Sequence, residues 1–252
     1  MSIVHHCEWD GLCAEAAAAG DRGLIRLISV CGPHSGDYLN AIPVSAGMRV
    51  DSLVWEQTTQ RRLGLHISGA PEADPFGDLI INSSAHGHRH FLVNAVWARA
   101  LKSVYGANFE SEPASWRQFS TTRPDGCAFN CAFNGKHVLY ETKVATPISA
   151  SSGDGPARQG QAGTLCAFGN TDKHFLTKIL GTPNGDGTPP SDGDYRLALA
   201  RGQTVVPLIH EVFGGLAPGA NATLRDLGQR KQGRLDEPSA SWSARSFVAY
   251  YG

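Results

Sequence analysis

At 252 residues with 41 % hydrophobic content, the chain is long enough for one large domain, or for a core domain with an appendage, and can bury a sizeable core. It has no apolar run of roughly 18 residues or more, which excludes a membrane-spanning helix, and its start, with His5, His6, Glu8 and Asp10, lacks the basic-then-apolar order of a secretory signal. The formal net charge of −1 excludes a uniformly basic nucleic-acid binder, so any surface for phosphates must be a local patch.

In chain order, the alanine-rich segment Ala14–Ala19 and the apolar run Leu24–Val30 predict two short helices, separated by Gly20 and Gly23. Residues 31–48 are turn-rich, 49–63 read as a helix ending in Arg61-Arg62, and 68–88 are loop-like. The cleanest helix follows. Val93, Val96, Trp97, Ala100, Leu101 and Val104 form one continuous apolar stripe, with Arg89, Asn94, Arg99 and Lys102 off it and Gly106 as its end. Residues 107–112 suit a short strand closed by Pro113, and 124–132 with 136–145 a hairpin. Two helical pieces are expected at 159–168 and 172–180, then a glycine- and proline-rich loop over 181–193. Residues 203–212 read as a strand in which Pro207 demands an edge or a bulge. The tail, 218–252, suggests two helices. The order of elements across 89–212 is that of an α/β layer arrangement around a mixed sheet.

The six cysteines include no CxxC pair, and free thiols in a reducing compartment are the simplest account. Cys127 and Cys131 share a strand face with Phe129 and are expected in the core. His86, His88 and His90 are spaced too laxly for a defined metal site, and a polar loop leading into a helix is the favoured reading. His5, His6, Cys7 and Cys13 are set aside as zinc ligands because terminal segments are often unordered. The tail cluster Arg225, Arg230, Lys231, Arg234 and Arg245 is the most basic region, diluted by Asp226, Asp236 and Glu237.

Chemistry concentrates in the hairpin. Glu141 and Lys143 alternate with Thr142, so their side chains share one face of their strand. Whether Asp125 joins them depends on the turn. A two-residue loop at Asn134-Gly135 would put Asp125 on the other face. A three-residue loop, Phe133-Asn134-Gly135, or a bulge of the same parity, sets Asp125 opposite Lys143 and Cys127 opposite Glu141. The second arrangement is the expectation. It gathers two carboxylates and an ammonium, the residue types that hydrolysis of a phosphodiester requires. Carboxylates hold a divalent cation, Mg²⁺ or Mn²⁺, which stabilises charge and acidifies bound water, and a lysine orients or deprotonates that water.

Arg-Pro-Asp at 123–125 and Glu141-Thr142-Lys143-Val144 resemble the catalytic strands of the PD-(D/E)xK nuclease superfamily. More narrowly, the chain is similar to the restriction-enzyme-like endonuclease at the C-terminus of certain non-LTR retrotransposon reverse transcriptases. Residues 31–43, Arg61–Leu65, Asp74–Asp78, Arg89-His90 and His210–Gly215 carry shorter matches. The resemblance implies a restriction-endonuclease-like α/β core, a mixed sheet flanked by helices, over 86–215. A helical, linker-like N-terminal region would occupy 1–85 and a helical tail 216–252. It implies Asp125 and Glu141 as ligands of Mg²⁺ or Mn²⁺, Lys143 as the catalytic lysine and Glu112 as an additional acid. Arg89, His90, Arg123 and Lys173 would meet the nucleic acid. DNA would be the substrate, with a reverse transcriptase domain or another protein as a further partner and no membrane. An intracellular location, with the nucleus as one option, follows. The sequence departs from the pattern in 74–90, where the family usually places a Cys/His zinc knuckle and this chain has no cysteine. A non-catalytic nucleic-acid-binding module of the same fold, or a protein-assembly role, are the competing expectations.

Overall fold

The apolar stripe ending at Val104 organises the molecule. In the computed structural model the described residues are 3–18, 21–31, 51–77, 86–114, 122–131, 136–145, 170–212 and 214–235. For residues 3–7, 21–22, 25, 28, 86, 88, 170–174 and 231–235 the backbone alone is described. The helices are α1 (Ile3–Ala18), α2 (Asp21–Val30), α3 (Ser52–Leu63), α4 (His86–Tyr105), α5 (Asn170–Leu180), α6 (Arg196–Ala200) and α7 (Pro218–Leu235). The strands are β1 (Phe109–Ser111), β2 (Gly126–Ala128), β3 (Val138–Ala145) and β4 (Thr204–Glu211). The class is α/β, as expected: a four-stranded mixed sheet in the order β1-β2-β3-β4 with helices on both faces. β1 pairs with β2 and β2 with β3 in antiparallel fashion, and β4 runs parallel to β3. Among the described residues no helix is long and apolar enough to cross a membrane.

Two cores lie on the two faces. Against α4 and α7 pack Val93, Trp97, Leu101, Phe109, Tyr140, Leu208 and Leu227. Against α5 and α6 pack Cys127, Leu139, Ile179, Tyr195, Ala198 and Val205. Alternation along β3 decides which residue goes where, since neighbouring side chains in a strand point to opposite faces. Leu139 therefore joins the second core and Tyr140 the first. Because β4 is an edge strand, the missing N–H of Pro207 is tolerated, and no bulge is needed.

The N-terminal helices are longer than the sequence suggests. α1 begins at Ile3, and α2 runs through Gly23. α3 is set by its caps. Asp51 accepts from the N–H of Leu53 at 2.8 Å, and Gly64, at φ +70°, closes a Schellman turn with Leu65 N–H donating to the Gln60 carbonyl at 2.8 Å. α4 starts at His86, inside the stretch read as loop, and ends in a short 3₁₀ turn, Gly106–Asn108, before β1. α6 was not anticipated. The expected helix at 159–168 and the second tail helix lie outside the described residues.

The hairpin requires a correction. The paired residues are Gly126↔Tyr140, Cys127↔Leu139 and Ala128↔Val138. Extending that ladder sets Asp125 opposite Glu141, not opposite Lys143, and Cys127 faces Leu139, not Glu141. The register is two residues from the expected one, with the described pairing stopping at Ala128 and Val138, and the expected loop Phe133-Asn134-Gly135 lies outside the described residues. A shift of two preserves the faces, so the expected parity stands. Cys131 is also misplaced. Asn130, at φ +53°, breaks the strand alternation, so Cys127 and Phe129 belong to the second core and Cys131 packs against the first.

Candidate active site

Asp125, Glu141 and Lys143 converge just ahead of the start of β2, where β3 continues past it. β2 begins at Gly126, preceded by the buried Pro124, which has no N–H to offer a ladder. At Thr142, β3 has run past its partner strand. Its N–H is taken at 2.7 Å by the Asp125 carboxylate Oδ2 in place of a main-chain carbonyl. The main-chain carbonyl of Asp125 is itself fixed by the N–H of Glu112 at 3.0 Å. Asp125 is thus held from both sides by the edges of its neighbours.

Glu141 sits one position back along β3, 3 % exposed, beside Pro207 of β4. Its Oε1 accepts from the Lys143 ammonium and its Oε2 from the Tyr195 hydroxyl. Both donors lie on the α5 and α6 face, as the alternation with Thr142 demands. Thr142 itself turns to the opposite face, where its hydroxyl lies 3.4 Å from Asn94 Oδ1. Lys143 is the more accessible partner, its side chain 23 % exposed against 4 % for that of Glu141.

His90 of α4 approaches the same spot. Its Nε2 lies 3.2 Å from Asp125 Oδ2 and 3.1 Å from the Thr142 carbonyl oxygen. Both neighbours are acceptors, so Nε2 carries the proton and donates to the pair. The hydrogen bond to Asp125 raises the imidazole pKa, with burial opposing. Burial raises the pKa of Glu141 first, and the nearby Asp125 charge raises it further, against the pull of Lys143 and Tyr195. Two carboxylates are therefore crowded into a poorly solvated place, where Lys143 supplies a compensating charge and His90 a hydrogen-bond donor.

This donor set fits a hard divalent cation. Oxygen ligands from two carboxylates suit Mg²⁺, which keeps several waters and needs no all-protein cage. The mutual repulsion of Asp125 and Glu141 is the kind of strain a cation relieves. Among the described residues no group of three or more His, Cys, Asp and Glu side chains is arranged to hold a metal ion, so water and substrate would supply the remaining positions.

The other expected site residues are distributed differently. Glu112, at φ +47°, points its carboxylate at Arg123, and the two form an ion pair of half-exposed side chains instead of joining the Asp125 cluster. Arg89 is half-buried on α4. The side chain of Lys173 lies outside the described residues, as do those of His86 and His88. Tyr195 is the site residue that sequence reasoning missed. It follows a glycine- and proline-rich loop and has no periodic pattern to betray it; a tyrosine at the end of such a loop, ahead of a short apolar run, was the available signal. Comparison of the chain with family models, with curated proteins and with solved structures returned no match.

Proposed function

We propose that this chain is a divalent-cation-dependent endonuclease that hydrolyses phosphodiester bonds in DNA. Its core would be of the restriction-endonuclease-like kind, related to the endonuclease region of non-LTR retrotransposon reverse transcriptases. One observation carries this: the carboxylate of Asp125, just ahead of β2, and the carboxylate and ammonium of Glu141 and Lys143, both on β3, gather at one end of the β2–β3 ladder. Asp125 and Glu141 would hold Mg²⁺ or Mn²⁺. When bound, the cation supplies charge stabilisation at the phosphate and a more acidic water.

The remaining chemistry belongs to the side chains. Lys143 is partly exposed, and its ammonium would offset negative charge that develops on the phosphoryl oxygens. The Thr142 N–H holds Asp125 in one orientation. His90, with a side chain 36 % exposed, offers a second N–H donor at the mouth of the site.

Nicking of supercoiled plasmid in Mg²⁺ by the purified chain tests the assignment. Asp125→Ala and Lys143→Ala should each reduce nicking by about 100-fold or more, while Lys102→Ala, on the exposed side of α4, leaves it unchanged. Nicking that survives Asp125→Ala overturns the assignment. A second function, binding of nucleic acid without turnover, is favoured by the commitment of both Glu141 oxygens to Lys143 and Tyr195. DNA binding with no nicking in Mg²⁺ or Mn²⁺ would establish it. An assembly that ignores DNA altogether would point instead to a protein-interaction role.

A further inference from the structure

We propose that Tyr195 is a positioning residue that fixes the Glu141 carboxylate for cation binding, an assignment that rests on the proposed metal-dependent site. The phenol ring is fully buried, packed with Cys127, Leu139, Ile179, Ala198 and Val205, and cannot swing away. Its hydroxyl donates to Glu141 Oε2. A buried tyrosine hydroxyl needs some acceptor, and a main-chain carbonyl would have served that need. Here the acceptor is the least exposed carboxylate of the candidate site. Lys143 holds the other oxygen of the same group, so two donors fix the plane of the carboxylate and the direction of its remaining lone pairs.

The segment carrying Tyr195 is built to hold it still. The Asp194 N–H donates to the Lys178 carbonyl at 2.9 Å, and the Tyr195 N–H to the Ile179 carbonyl at 3.1 Å. The Tyr195 carbonyl accepts from the Leu199 N–H at 3.0 Å. The tyrosine is thereby stitched to the end of α5 and to the start of α6. A ligand held by a second residue in this way binds metal more tightly, because the orienting work is done before the cation arrives.

Tyr195→Phe removes the hydroxyl and keeps the ring. Its melting temperature should stay within a few degrees of the unsubstituted chain, as should that of Tyr105→Phe, whose hydroxyl meets Tyr140 away from the site. Binding of Mn²⁺ to the full chain, followed by electron paramagnetic resonance, should weaken about 10-fold or more in Tyr195→Phe and not in Tyr105→Phe. The Mg²⁺ concentration needed for half-maximal nicking should rise by a similar factor, with KM for plasmid unchanged. Equal Mn²⁺ affinity in Tyr195→Phe and the unsubstituted chain overturns the assignment, and does so even if nicking is robust. Weakened Mn²⁺ binding in a chain that never nicks DNA upholds it and removes the nuclease. No Mn²⁺ bound by the unsubstituted chain overturns both.

Discussion

Glu211 is buried at the end of β4, and its carboxylate accepts a hydrogen bond from the Ser29 hydroxyl of α2. Burial pushes its pKa from 4.5 up to about 7, with the Ser29 bond opposing. The folded state therefore holds this proton more tightly than the unfolded chain. Its contribution to stability is fully present below the unfolded value and is lost as pH rises through about 7. The loss corresponds to about 3 kcal/mol at about 1.4 kcal/mol for each pKa unit. Glu211→Gln, which stays neutral, should flatten this dependence. Urea unfolding from pH 4.5 to 8.5 should show the variant gaining on the unsubstituted protein as pH rises, with a parallel loss in both proteins refuting the attribution. Glu112 makes a contrasting case, because its ion pair with Arg123 is half exposed. Glu112→Ala should cost less than about 1 kcal/mol in the same assay.

At the scale of elements, the loop from Gly181 to Asp194 matters because it delivers Tyr195. Gly193 lies flat against the end of α5. A Cβ there would come within 2.4 Å of the Gly181 nitrogen and 2.5 Å of the Leu180 carbonyl carbon. These are main-chain atoms that cannot rotate aside. Gly193→Ala should therefore cost about 1–3 kcal/mol through overpacking and lower the thermal midpoint, whereas Gly185→Ala, where a Cβ meets nothing within 4 Å, should not. Equal midpoints would mean the loop has freedom that this packing denies. The same elements show what a sequence can and cannot reveal. The stripe from Val93 to Val104 was legible because a buried helix face imposes a 3.6-residue period, and the shared face of Glu141 and Lys143 because a strand imposes a period of two. The hairpin register was not, since Asn134-Gly135 advertises a tight turn while the described pairing stops at Ala128 and Val138. α6 was hidden because Arg196–Ala200 is too short to display a period. Tyr195 and the Glu112–Arg123 pair depend on contacts between distant segments, which local pattern does not encode.

At the scale of the molecule, the sheet is a shared wall between two cores. Leu101 anchors the α4 side and Ile179 the α5 side, both essentially without solvent exposure. Truncating either to alanine removes buried methyl groups and leaves a cavity, at a cost of about 2–5 kcal/mol. Because the two sites lie on opposite faces and belong to different clusters, their costs should add when combined. A domain of ordinary stability, about 5–15 kcal/mol, would barely survive the double substitution. Each single variant should still unfold in one step, since neither layer has a sheet of its own to fall back on. The Ser29–Glu211 bond also ties the N-terminal helices to β4, so helix loss and loss of tertiary packing should coincide. Far-ultraviolet and near-ultraviolet circular dichroism across a urea titration measure the two events. Coincident midpoints in Leu101→Ala and Ile179→Ala support one cooperative unit. A separate helical transition persisting at higher urea would instead mean that α1, α2 and α3 fold apart from the sheet. Ser29→Ala would then leave the main midpoint where it was, whereas in a single unit the loss of a partner for the buried Glu211 costs about 1–3 kcal/mol.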